Sequence, residues 1–229
     1  MNIIGLIGGM SWESTISYYR LINEAVRERL GGYHSAKIIL YSVDFDEIER
    51  LQHTDNWDEA GSVLADAARA LEAAGADFIL VCTNTMHKVA SAIETAVSIP
   101  LLHIADATAE TICQAGLTRV GLLGTRFTME QAFYRDRLQD HGLSVLTPSA
   151  ADREIVHRVI FEELCYGKTT TEAREDYRRI MRELVAQGAQ AIILGCTEIA
   201  MLVTQQDSPV PLFDTTQIHA QRAVAQALG

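Results

Sequence analysis

Four cysteines and seven histidines give this chain its widest chemical range. Cys82, Cys113, Cys165 and Cys196 are scattered, with no CxxC pair and no histidine at metal-ligand spacing. With HExxH and HxH also missing, no structural or catalytic metal is expected. A disulfide scaffold is equally unexpected in a chain long enough to bury a proper core. Cys196 stands apart through its setting, Gly195-Cys196-Thr197-Glu198, just past the apolar run Ala191 to Leu194. An unperturbed thiol has a pKa of about 8.5, which neighbouring donors or a helix N-terminus can lower. At a strand-to-helix turn, the Cys196 thiolate would face the unpaired amides of the following helix. A lone cysteine is more often a small buried hydrophobe, but the Gly195–Glu198 context favours chemistry. Cys82 closes the apolar run Phe78 to Val81 and reads as core, while Cys113 and Cys165 fall in helical patterns and read as structural.

The elements that must position these residues are legible from hydrophobic patterning. Short Ile/Leu/Val-rich runs read as buried strands: Ile3 to Ile7, Lys37 to Ser42, Asp77 to Cys82, Pro100 to Ile104, Arg119 to Leu123, Leu143 to Leu146, Ala191 to Leu194 and Val210 to Phe213. Between them lie amphipathic stretches such as Ser14 to Leu30, Trp57 to Ala74, Met129 to His141, Arg153 to Cys165 and Thr171 to Gln187. Ala65 to Ala74 followed by Gly75 is a helix with its stop signal. Strands alternating with helices predict an α/β fold of parallel sheets covered on both faces.

An internal repeat sharpens the prediction. Gly5-Leu6-Ile7-Gly8 recurs as Gly121-Leu122-Leu123-Gly124, Gly75 to Val81 recurs as Gly188 to Leu194, and Ile99 to Leu102 recurs as Val210 to Phe213. The offsets are 116 (121 − 5), 113 (188 − 75) and 111 (210 − 99), nearly constant, which suggests two copies of a four-stranded α/β lobe. Aligned this way, Val81-Cys82-Thr83-Asn84-Thr85 lies over Leu194-Gly195-Cys196-Thr197-Glu198, so the counterpart of Cys196 is Thr83. Both positions fall past the carboxyl end of a strand, where open α/β sheets place their ligands. Two such lobes facing each other would bring Thr83 and Cys196 to opposite sides of one crevice.

Composition narrows the partners. The 229 residues are 48% hydrophobic and 21% charged, which excludes intrinsic disorder. Nineteen Lys+Arg against thirty Asp+Glu leave a net charge of −11 with no dense basic run, so neither nucleic acid nor an anionic membrane is an expected partner. The opening Met1-Asn2-Ile3-Ile4-Gly5 has no basic n-region, and no apolar run approaches the ~18 residues of a membrane span, so a cytoplasmic protein is expected.

Taken together, Gly8-Gly9-Met10-Ser11-Trp12-Glu13-Ser14-Thr15, Cys82-Thr83-Asn84-Thr85-Met86-His87 and Gly195-Cys196-Thr197-Glu198 resemble the signature of the aspartate/glutamate racemase family, and most closely its enterobacterial L-aspartate/glutamate-specific branch. The resemblance spans essentially the whole chain. It implies a cofactor-independent enzyme of two similar α/β lobes, related by a pseudo-twofold, with the site between them, working on a small amino-acid substrate as a homodimer. It also implies an N-terminal lobe of residues 1–104 joined by the C-terminal segment 210–229, and a second lobe of residues 105–209. Two departures stand out. Thr83 occupies the place where most members carry a cysteine. The carboxylate-gripping arginine and lysine of aspartate racemases have no plain counterpart in Ser42-Val43-Asp44-Phe45 or Leu164-Cys165-Tyr166-Gly167-Lys168.

Racemising an amino acid without pyridoxal phosphate requires acid/base groups on both faces of the α-carbon. The resemblance assigns these roles to Cys196 and Thr83, with Thr197 and Glu198 donating to or orienting the site. Amides and hydroxyls of Ser11, Asn84, Thr85 and Thr125 would hold the substrate carboxylate and the charge that builds on it, with Met10 and Gln52 as further contacts. Because a threonine hydroxyl is a poor base, the pair is asymmetric and predicts a preference for one enantiomer, L.

Each assignment has a plainer counterpart. Thr83, Asn84 and Thr85 also suit a turn and N-cap; His87 suits packing, Met10 and Trp12 suit packing or a wall, and Gln52 suits a solvated helix end. The glycine loop Gly5-x-x-Gly8-Gly9 lacks the G-x-G-x-x-G spacing, which argues against NAD or FAD. Two other functions fit the same residues: decarboxylation of a substituted malonate, and non-catalytic capture of a small acid.

Overall fold

The computed structural model describes residues 1–229. The chain folds as two compact units, residues 1–104 with 219–229, and residues 105–218.

In the first unit, strand β1 (Ile4–Gly8) is followed by helix α1 (Trp12–Leu30), β2 (Ile38–Ser42), α2 (Phe45–His53), α3 (Trp57–Ala73) and β3 (Phe78–Val81). A 3-10 turn (Thr85–Val89) then leads into α4 (Ala90–Ala96). The sheet is parallel in the order β2-β1-β3, with Gly8 opposite Ser42 and Ile7 opposite Val81. Side chains alternate across a strand, and both faces here are apolar. Ile4, Leu6, Phe78, Leu80 and Cys82 pack on one side with Tyr18, Ile22 and Val26 of α1. Ile7, Ile79 and Val81 pack on the other with Leu64, Ala68 and Leu71 of α3.

The second unit follows with α5 (Ile104–Gln114, whose first residue belongs to the first unit), β4 (Arg119–Gly124), α6 (Arg126–Glu130), α7 (Ala132–Asp140), β5 (Ser144–Leu146) and α8 (Ala150–Glu162). Then come α9 (Thr171–Ala186), β6 (Ala191–Gly195), α10 (Ile199–Leu202), β7 (Leu212–Asp214) and α11 (Thr215–Leu228). Its parallel sheet runs β5-β4-β6-β7, with Gly124 opposite Gly195. Leu123, Ile192 and Leu194 bury one face against Val156 and Ile160 of α8 and Tyr177, Ile180 and Leu184 of α9.

The alternating parallel α/β fold is therefore the one expected, with three differences in detail. The first sheet has three strands, because the run Pro100 to Ile104 forms only a bridge of Leu101 to Ile79 before α5 begins at Ile104. The stretch Met129 to His141 is two helices, broken where Gln131 is extended at φ −84°, ψ 150°. The chain returns to the first unit at His219 instead of Val210, because β7 pairs with β6 and so stays in the second unit. From His219 onward, Ala220, Ala223, Val224 and Ala227 of α11 cover the β1/β3 face alongside α1. No helix is long and apolar enough to cross a membrane.

Candidate active-site residues

In the first unit the candidate residues collect where β1 and β3 end. Gly9 turns the chain at φ +92°, and a Cβ there would collide with the Val43 carbonyl, so only glycine fits. The loop is then knitted to the first turn of α1. Gly9 N–H donates to Thr15 Oγ1 (2.8 Å), whose hydroxyl donates to the Ser11 carbonyl (2.9 Å). The Ser14 hydroxyl reaches both the Ser11 carbonyl (2.9 Å) and the Cys82 carbonyl (3.3 Å), tying the β1 loop to the end of β3. Ser11 is the N-cap of α1 and accepts from Ser14 N–H at 3.4 Å. Ser11, Asn84 and Thr85 are all buried, and Thr83 is half-buried.

Thr83 is held from behind by His87. Ile104 N–H donates to His87 Nε2 (3.3 Å), and the opposite ring nitrogen, Nδ1, lies 2.8 Å from the Thr83 carbonyl. An amide can only donate and a carbonyl can only accept, so the ring is neutral with its proton on Nδ1. Cys82, by contrast, is fully buried in the core, and burial pushes its thiol pKa far up.

In the second unit, the register that sets Gly124 beside Gly195 makes Thr125 and Cys196 the next residues off neighbouring strands. Thr125 caps α6, accepting from Thr128 N–H at 3.3 Å. Cys196 is buried, and its thiol donates to Glu198 Oε2 at 3.0 Å; the Thr197 hydroxyl donates to the same oxygen at 2.5 Å. Glu198 is itself 5% exposed. Burial first, and the Glu198 charge second, hold the Cys196 pKa well above its ordinary value.

That direction corrects the expectation of a thiolate eased by helix amides. The following helix, α10, is only four residues long, and a carboxylate stands beside the sulfur. Glu198 accepts where donation was the sequence-based alternative. Two other placements differ as well. The Met10 side chain is 4% exposed and packs in the core with Ile7, Leu51 and Met86. Gln52 is buried with Nε2 3.1 Å from Met86 Sδ, not a solvated helix end. The structure therefore gathers Ser11, Thr83, Asn84 and Thr85 around the strand ends of one unit, and Thr125, Cys196, Thr197 and Glu198 around those of the other.

Ser14 and Thr15 escaped the sequence reading as loop-fixing residues, although Ser and Thr three and four positions after an N-cap are a visible signal. His87 was visible as a residue but its partners were not, since Ile104 lies in another element. No group of three or more His, Cys, Asp or Glu side chains is placed to hold a metal ion.

Each parallel α/β unit thus carries candidate acid/base groups just past a strand end, a thiol–carboxylate pair in one and a threonine in the other. Residues 7–223 match the Asp/Glu/Hydantoin racemase family model, and the chain belongs to that family. It is 25% identical, over 99% of its length and 98% of the relative's, to a broad specificity amino-acid racemase of Bacillus subtilis (strain 168). The crystal structure of a candidate Asp/Glu racemase from Yersinia pestis superimposes with a TM-score of 0.94 at 60% identity, covering 100% of both chains. That of an aspartate racemase homologue from Pyrococcus horikoshii OT3 does so with 0.87 at 37% identity, again covering 100% of both.

Proposed function

We propose that the chain racemises aspartate, glutamate or a close analogue without pyridoxal phosphate, with Cys196 and Thr83 serving opposite faces of the α-carbon. The observation that carries this reading is the buried Cys196–Glu198 contact of 3.0 Å at the end of β6. A thiol kept protonated by its surroundings needs a base at hand, and Glu198 is that base. As Glu198 takes the thiol proton, the sulfur becomes able to remove the substrate's α-proton. On the other face, the Thr83 hydroxyl gives a proton to the carbanion while taking one from water. Cys196 keeps the proton it has taken, and Glu198 releases the original thiol proton to the hydroxide left by that water, so the count closes over one turnover.

The negative charge that spreads onto the substrate carboxylate is met by amides and hydroxyls of Ser11, Asn84, Thr85, Thr125 and Thr197, with Gln52 as a further contact. Met10 contributes by filling the core beneath the loop. A hydroxyl ionises far less readily than a thiol, so kcat is higher in the direction that begins at Cys196, and L is the substrate turned over faster. KM is higher in the same ratio, because the two enantiomers are equal in free energy. The same reading extends to a cytoplasmic homodimer, as the family resemblance implies.

Incubating single amino acids in heavy water and following the α-proton signal by NMR tests the proposal. Loss of that signal from L-aspartate or L-glutamate, with the D form accumulating, is the expected result, and Cys196→Ala abolishes both. Release of carbon dioxide from a substituted malonate without α-exchange would make it a decarboxylase. Ligand binding indifferent to Cys196→Ala, with no exchange, would make it a binding protein.

A further inference from the structure

Beneath the end of β3, three imidazoles are clustered edge-on inside the first unit. His87 lies edge-on to His103, with ring centroids 4.4 Å apart, and to His219 at 5.9 Å. All three are buried. His219 is locked as tightly as His87, in the opposite tautomer. Its Nε2–H donates to the Leu102 carbonyl (2.8 Å), so Nδ1 accepts from the Tyr18 hydroxyl (2.8 Å). His87 cannot turn without giving up its contacts to Thr83 and Ile104. Next to the proposed chemistry, this assembly grips the Thr83 carbonyl.

We infer that His87 is a positioning residue for Thr83: its Nδ1–H holds the Thr83 backbone, and thereby the direction in which the Thr83 hydroxyl delivers a proton. This rests on the racemase reading above. A peptide plane that rotates carries its side chain with it, and misplacement by about 1 Å can cost up to about a hundredfold in rate. His87 thus serves one face of the substrate and leaves the Cys196 face untouched.

Two amide variants divide the two hydrogen bonds of the ring. In His87→Asn the side-chain NH2 stands near the place of Nδ1 and keeps the donor to Thr83. In His87→Gln the longer side chain carries its amide oxygen toward Ile104 N–H and gives up the donor to Thr83. The assay follows the L substrate in heavy water and compares inversion to D with deuterium incorporated into recovered L. Inversion needs the Thr83 face, whereas exchange with retention needs only the Cys196 face, where the thiol trades its proton for a deuteron through Glu198.

The expected result is an inversion-to-exchange ratio about tenfold lower in His87→Gln and within about twofold of the parent in His87→Asn, with melting temperatures lowered alike. Equal ratios in parent and both variants, with activity following melting temperature, would reduce His87 to a packing residue and leave the racemase reading standing. A parent protein that neither exchanges nor inverts would remove the racemase reading and this inference with it. Should both variants fail to fold, nitrogen-15 NMR of the parent's imidazoles decides. A protonated Nδ1 and bare Nε2 on His87 at neutral pH are required, and the opposite tautomer or an imidazolium overturns the assignment.

Discussion

Replacing Glu198 by glutamine should make Cys196 more reactive and the enzyme slower. The carboxylate oxygen lies 3.0 Å from the sulfur. At an effective dielectric of about 20, two unit charges at that separation repel by about 5 kcal/mol. Glutamine removes that repulsion while leaving the larger cause of the raised pKa, burial, in place. The Cys196 pKa therefore falls, and the amide can also turn its NH2 to the thiolate. Turnover moves the other way: with no base to take the thiol proton, kcat should drop by about a hundredfold or more. The assay is the pH dependence of Cys196 alkylation by iodoacetamide, read by peptide mapping so that Cys113 and Cys165 do not contribute. Alkylation of the variant should run at markedly lower pH than that of the parent. If its profile instead stays put or moves to higher pH, Glu198 does not hold a negative charge against the sulfur, and its role as base fails.

Three further outcomes follow from the same geometry. Thr83→Cys should bring the D-to-L and L-to-D rates within about tenfold of each other; an unchanged enantiomer preference, measured by chiral chromatography, would refute the asymmetry. Cys82→Ala should cost about 1–2 kcal/mol in denaturant unfolding, since it empties a small volume in the first unit's core, yet leave kcat within about twofold. Burial depresses the His219 pKa to about 4 from 6.5, so the neutral ring contributes stability above pH 6.5. That contribution is lost as pH falls from 6.5 through about 4, about 3 kcal/mol in all. His219→Gln should flatten the pH dependence of unfolding in this window, and an unaltered slope would count against a neutral buried ring.

The parallel α/β organisation was readable because buried strands leave unbroken apolar runs and because the helices between them keep their period and stop signals. The place of Cys196 was readable for the same reason, a strand end being visible in Ala191 to Leu194. What escaped reading depends on distance in space. Nothing along the chain says that Gln52 meets Met86, or that Ile104 donates to His87. The sign of the Cys196 shift was missed because it turns on whether the next helix is long enough to offer amides and where the Glu198 charge points. The Met10 side chain, next to polar Ser11, looked like part of a binding loop, while the fold turns it inward onto Ile7 and Leu51. The missing fourth strand of the first sheet has a local cause. Leu101 makes its bridge only four residues after Val97, the C-cap of α4, and α5 starts at Ile104.

The late return of the chain at His219 bears on how the molecule comes into being. Residues 105–218 are contiguous and emerge from the ribosome as a complete set, whereas the β1/β3 face of the first unit must wait for Ala220, Ala223, Val224 and Ala227. Until residues 219–229 are made, Ile4, Leu6, Phe78 and Leu80 remain partly uncovered, a window in which a nascent chain invites chaperones and proteases.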